Sequence, residues 1–192
     1  MAKLKMVACL VLLGFIFPGF AFSKDEFAFL PDSGYELLLK VLDQCKKCDS
    51  VGTLAAAKRT QGQWKAYFAE QGALKGLNEQ QGRELTSYLA INFPMPKKKI
   101  PPNPKKPDFI PMGGKQLLLE TCMSCHLVTL PVLILHKDEL GWRQLFTHSD
   151  HLVAVSKMDE NQLKTLAAYL ANNFPISEEK VPEALREPAP QY

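Results

Sequence analysis

Histidine is absent from the first 125 residues of this 192-residue chain; all four histidines lie between 126 and 151. Any chemistry that needs an imidazole, as a metal ligand or a proton carrier, is therefore confined to the second half. Long apolar runs are also missing. The longest, Met6 to Phe17, falls short of the about 20 residues that a membrane span requires. No segment alternates apolar and polar residues for long enough to argue for sheet. Charge of one sign is scarce: without Lys3 and Lys5, the 23 basic residues become 21, against 20 acidic ones. That balance gives no electrostatic footprint for nucleic acid. With 46% hydrophobic and 22% charged residues, the composition fits neither a disordered chain nor a multi-span membrane protein. No pair of catalytic carboxylates and no nucleophilic triad stands out, so the chain is expected to be no bond-making enzyme.

What is present begins with an export signal. Lys3 and Lys5 precede the apolar run, Pro18 and Gly19 break it, and Ala21-Phe22-Ser23 places small residues where a signal peptidase reads. Residues 1–23 are expected to be removed, with cleavage near Ser23/Lys24, which implies a periplasmic location and no stable membrane span afterwards. Cys9 leaves with the signal. Four cysteines remain, as the pairs Cys45/Cys48 and Cys122/Cys125. In an oxidising compartment idle thiols tend to become disulfides, so each pair needs an explanation.

The mature chain repeats itself. Gly34 to Pro94 can be laid over Gly114 to Pro175, so that Leu37-Leu38-Leu39 answers to Leu117-Leu118-Leu119 and a C-x-x-C follows each. Trp64 lies 16 residues beyond the first pair, and Trp142 lies 17 beyond the second. Each half closes on nearly the same phrase, Tyr88-Leu-Ala-Ile-Asn-Phe-Pro94 and Tyr169-Leu-Ala-Asn-Asn-Phe-Pro175. So many matches in one order indicate an internal duplication. Between the halves, residues 95–112 are rich in proline and lysine, a composition that cannot sustain a helix and reads as an extended spacer.

Leu163, Leu166, Ala167 and Leu170 recur at helical spacing behind Asp159, a good N-cap, and Phe174-Pro175 ends the run. Gln80 to Ile91 repeats that plan, and further helices are expected around Trp64 and Trp142. The predicted fold class is all-α, with two tandem small helical domains: 24–94, then the linker 95–112, then 113–178, and a tail over 179–192. Modules this small bury little apolar surface and call for a staple or a cofactor.

Cys122-Met123-Ser124-Cys125-His126 is C-x-x-C-H, the attachment signature of c-type haem. Two cysteines three apart on a helical turn present both sulfurs to the vinyl groups along one porphyrin edge, and the next residue brings its imidazole to the iron. Competing readings are a redox dithiol, a zinc half-site and an ordinary disulfide. The first would want a βαβ setting and the second another ligand pair nearby. The first repeat departs from the signature. Cys45-Lys46-Lys47-Cys48-Asp49 carries aspartate in the histidine's place, a poor ligand for haem iron. One haem c per chain is expected, with Cys45 and Cys48 joined as a disulfide, or else left as free thiols, in a haem-free scaffold or docking module.

The sixth iron ligand is open among His151, His148, Met158 and His136. His151 is favoured, then His148. Met158 is in register with Leu77 of the first repeat and reads as a core position, and His136 reads as a loop residue. Leu127 to Leu135 is expected to line the haem pocket, with Pro131 either presenting its backbone carbonyl to the proximal histidine or serving as a core or turn residue.

On Cys122, Cys125, His126 and the closing Tyr169-Leu170-Ala171, the second half resembles a class I c-type cytochrome. The spacing to Trp142 is similar to that of small cytochrome modules associated with periplasmic dehydrogenases, including sulfite and quinoprotein types. The whole chain looks like a two-domain, dihaem-type cytochrome with a degraded first haem site. In such modules an axial methionine is expected about seven residues after the tryptophan; here Ser149 stands there, so that ligand does not carry over. The resemblance implies electron transfer with a dehydrogenase or oxidase as redox partner. Two other classes stay in view: a haem-based small-molecule sensor, and a docking or assembly protein that uses the haem-free half.

Overall fold

The computed structural model describes residues 27–104, 107–122, 133–183 and 186. Those residues form eight α-helices and no strand, so the fold is all-α. The first half holds α1 (Gly34–Gln44), α2 (Val51–Ala56), α3 (Gln61–Glu70) and α4 (Glu79–Asn92). The second holds α5 (Gly114–Thr121), α6 (Glu139–Phe146), α7 (Ser149–Val155) and α8 (Glu160–Asn173). Short 3₁₀ turns at Lys97–Lys99 and Glu178–Lys180 follow the two closing helices. No helix among the described residues is long and apolar enough to cross a membrane.

Local sequence starts and stops these helices. The amide of Gln63 donates to Thr60 at 3.3 Å, that of Gln81 to Asn78 at 2.9 Å, and that of Gln162 to Asp159 at 2.9 Å. In each case the glutamine side chain accepts from the cap's own amide, which closes a capping box. At the other end, α4 and α8 stop at Phe93-Pro94 and Phe174-Pro175, because proline has no amide proton for a continuing helix.

Two apolar cores reflect the duplication. Leu37, Leu38, Trp64, Phe68, Leu85, Tyr88, Leu89 and Phe93 are buried in the first. Their counterparts Leu117, Leu118, Trp142, Phe146, Leu166, Tyr169, Leu170 and Phe174 are buried in the second. In each half the opening helix crosses the closing one at a glycine. A Cβ on Gly34 would sit 2.1 Å from the Cβ of Tyr88, and one on Gly114 would sit 2.1 Å from that of Tyr169. Only a residue without a side chain lets these backbones approach so closely.

The halves pack into one body rather than hanging from a spacer. Helix α4 lies along α8 in the most extensive helix pairing among the described residues. The segments leading into each repeat cross over. Phe27 and Leu30, which precede the first repeat, are buried in the second core, and Ile110, which precedes the second repeat, is buried in the first. Hydrogen bonds fix the exchange: the Tyr169 hydroxyl donates to the Pro31 carbonyl at 2.8 Å, and the Tyr88 hydroxyl donates to the Pro111 carbonyl. The stretch expected as solvated linker also buries Met95, whose amide donates to the Ala55 carbonyl at 2.7 Å. The second core likewise runs past residue 178 to Val181. The physical reason is common to all five positions. Phe27, Leu30, Met95, Ile110 and Val181 carry apolar side chains, and burying each contributes roughly 1.5–3 kcal/mol that an extended tail or linker would forgo.

Where α4 meets α8, paired polar residues replace apolar contact. Asn92 donates to the Thr165 hydroxyl at 2.9 Å. At the related position, Asn173 and Asn172 face the carboxylate of Glu84, with the Asn172 amide donating at 3.0 Å and that of Asn173 at 3.4 Å. The Gly34 amide donates to the other carboxylate oxygen at 3.0 Å. Burial pushes the Glu84 carboxyl up to about 7, against the pull of these donors, and the charge on Glu36 adds to the rise.

Candidate functional site

Helix α5 carries the leading cysteine of the second pair. Its eight residues run directly into Cys122, the C-cap, whose amide donates to the Leu118 carbonyl. Cys122 is half-buried and packs against the second core. Cys125 and His126, with the rest of 123–132 including Pro131, lie outside the described residues. Of the apolar stretch ending at Leu135, Leu133 is fully buried and its carbonyl receives the Ile176 amide at 2.8 Å, whereas Ile134 and Leu135 are exposed.

The sixth-ligand candidates separate by position. His148 is the exposed N-cap of α7, and His151 lies within that helix, half-buried, one turn before the buried Val155. His148 thus caps the helix and His151 stands three residues on, in its first turn, with the His151 amide donating to the His148 carbonyl at 2.9 Å. Met158 is half-buried against the second core, and Leu77 holds the matching place against the first. His136 is exposed. Among the described residues no group of three or more His, Cys, Asp or Glu is gathered as a metal site.

The second half offers an apolar setting suited to a porphyrin. Cys122 stands at the edge of a core formed by Leu118, Leu133, Trp142, Phe146 and Val155. The Trp142 indole nitrogen is buried and has no acceptor among the described residues. A buried donor left unsatisfied costs about 1–3 kcal/mol, and a carboxylate-bearing group beside it would remove that cost; haem carries two carboxylates. Trp64 has the same buried, unmatched indole nitrogen, so the indole alone does not distinguish the halves. The fit rests on its conjunction with a cysteine at the core edge and the C-x-x-C-H run.

The first half is arranged differently at the corresponding place. Cys45 and Cys48 are bonded to each other. Leu39 stands six residues before Cys45 while Leu119 stands three before Cys122, so α1 carries one more turn than α5 before its cysteines. Asp49, in the histidine's position, donates its amide to the Tyr67 hydroxyl at 2.8 Å and accepts from that hydroxyl at 3.0 Å. Burial raises the Tyr67 phenol above its ordinary range. The Arg59 guanidinium lies 4.6 Å from the Trp64 ring centre and 4.4 Å from that of Tyr67, a cation–π stack on both rings. With its cysteines spent on each other, no imidazole, and Arg59 seated on the aromatic pair, this half does not fit a covalently held haem. Sequence reasoning missed Arg59 and Tyr67. Their signal was faint, since they replace Lys137 and Leu145 of the other repeat and become partners only when α3 is folded.

The chain matches no protein-family model, no curated protein and no solved structure.

Proposed function

We propose that the chain is an exported c-type cytochrome with one haem, carrying single electrons to or from a dehydrogenase or oxidase. The observation that carries this reading is the run Cys122-Met123-Ser124-Cys125-His126, set where α5 delivers Cys122 to the edge of an apolar core. Cys122 and Cys125 would hold the group through their sulfurs, and His126 would be the proximal ligand. His151 is the preferred sixth ligand because it is the half-buried histidine of the described three, with His148 and Met158 as alternatives. The haem, when bound, supplies a one-electron couple. The protein's own part would be to supply an apolar, water-excluding surround with Leu118, Leu133, Trp142 and Phe146, and to offer the Trp142 indole as a donor.

The test is a pyridine haemochrome assay with intact mass on the exported protein. One haem per chain, resistant to acid-acetone, is the expected result, and His126→Ala should abolish it. A bare peptide mass would refute the proposal. A ferrous spectrum unchanged by carbon monoxide is expected for a protein-supplied sixth ligand; rapid binding of carbon monoxide would favour a sensor instead.

A further inference from the structure

The proposed function leaves Cys45 and Cys48 without a role beyond joining to one another. Their surroundings argue against a purely structural bond. The disulfide links residues three apart in the loop between α1 and α2. So short a ring removes little conformational freedom from the unfolded chain, because closure entropy grows with loop length. It also ties together no two helices that are not already packed: Leu37, Leu38, Val41, Leu54, Trp64, Phe68, Leu85 and Leu89 are the buried centre of the first core, and Cys45 and Cys48 pack, partly buried, only against its edge. The loop has independent anchors in the paired hydrogen bonds between Asp49 and Tyr67. Opening the bond therefore leaves the fold its supports.

Its chemistry favours opening. Both cysteines are half-buried, and the residues between them, Lys46 and Lys47, are exposed cations. Positive charge beside a sulfur stabilises the thiolate that leaves when a disulfide is attacked, and it draws an anionic thiolate toward the bond. We propose that Cys45–Cys48 is an exchangeable two-electron dithiol/disulfide centre, opened by an external thiol reductant. A thiolate attacks one sulfur, the Cys45–Cys48 bond breaks, and a mixed disulfide forms as the second sulfur leaves and takes up a proton. A second thiol resolves the mixed disulfide. Two thiols become one disulfide outside, and the chain gains two electrons and two protons. The centre does not depend on the haem reading, which concerns Cys122 and Cys125.

The experiment exposes the full-length chain, without denaturant, to glutathione buffers of increasing reducing strength. After acid quenching and alkylation, the 45–48 peptide is weighed while circular dichroism follows the helices. Two alkyl groups on that peptide with an unchanged helical signal are expected. Replacing both cations (K46Q/K47Q) should slow the opening roughly threefold. A bond that stays closed until the chain is unfolded would overturn the proposal, as would K46Q/K47Q opening at the wild-type rate. Haem loading is read on a different peptide, so failure of one idea is distinguishable from failure of the other.

Discussion

Glu84 makes the stability of this protein depend on pH in an unusual direction. It is buried where α4 meets α8, and burial pushes its carboxyl from 4.5 to about 7. The groups facing it are the Gly34 amide and the amide side chains of Asn172 and Asn173, with Glu36 nearby and Tyr169 across on α8. An acid whose folded pKa lies above its unfolded value favours folding while both states are protonated. The unfolded chain releases its proton first, so stability is complete below 4.5, falls as pH rises, and levels off above about 7. Each pKa step is worth about 1.4 kcal/mol, so the loss between pH 4 and pH 8 approaches about 3 kcal/mol from this residue alone. Glu84→Gln carries no titrating proton and should abolish that component. Urea unfolding at intervals from pH 4 to pH 8 measures it. Wild type should lose stability across the window, and the difference between wild type and Glu84→Gln should change by about 3 kcal/mol. A difference that stays constant with pH would refute the reasoning, because it would mean that the carboxyl titrates alike in folded and unfolded chains.

Other perturbations probe the packing directly. Gly114→Ala places a methyl group against the Cβ of Tyr169 and should lower stability by about 3 kcal/mol, read as a shift of the urea midpoint. Gly62→Ala, whose new Cβ meets nothing within 4 Å, should instead stabilise α3 by up to about 1 kcal/mol; equal effects at both glycines would contradict the crossing geometry. Tyr169→Phe removes the donor to the Pro31 carbonyl and should reduce stability by about 1 kcal/mol. Amide hydrogen exchange should then rise at Phe27 to Leu30, and unchanged protection there would count against the crossed-over lead segment. Leu30→Ala should lower stability by about 2–5 kcal/mol and expose the second core rather than the first, read as increased exchange in α8 and not in α3.

The helices and the duplication were legible in the residues. The Asp159 cap and the Phe-Pro stops are local, each settled within four or five residues, and the structure adds capping boxes at Thr60 and Asn78. Sequence periodicity places Leu163, Leu166, Ala167 and Leu170 on the closing helix between the Asp159 cap and Phe174-Pro175, and the structure runs that helix from Glu160 to Asn173. The cysteine pairs were equally plain. Glu84 gave no such notice: it is a charged residue in a polar helical stretch, in register with Thr165, and its burial depends on a helix that begins 76 residues later. The partnership of Asp49 with Tyr67, and of Arg59 with two rings, also depends on residues brought together by folding.

By itself, the sequence determined that the fold is all-α, where the closing helices and those at Trp64 and Trp142 lie, that the chain is a repeat, and which half retains a C-x-x-C-H run. Those properties follow from hydrogen bonds and apolar spacing within a few turns of one chain segment. Only the tertiary structure decided that the two halves share an interface and exchange their leading segments, that Glu84 is buried within that interface, and that Arg59 sits on the aromatic pair of the first half. These are contacts between residues far apart along the chain. They arise because each half leaves an apolar gap that a distant Phe27, Leu30 or Ile110 can fill, and local patterning carries no record of which gap that will be.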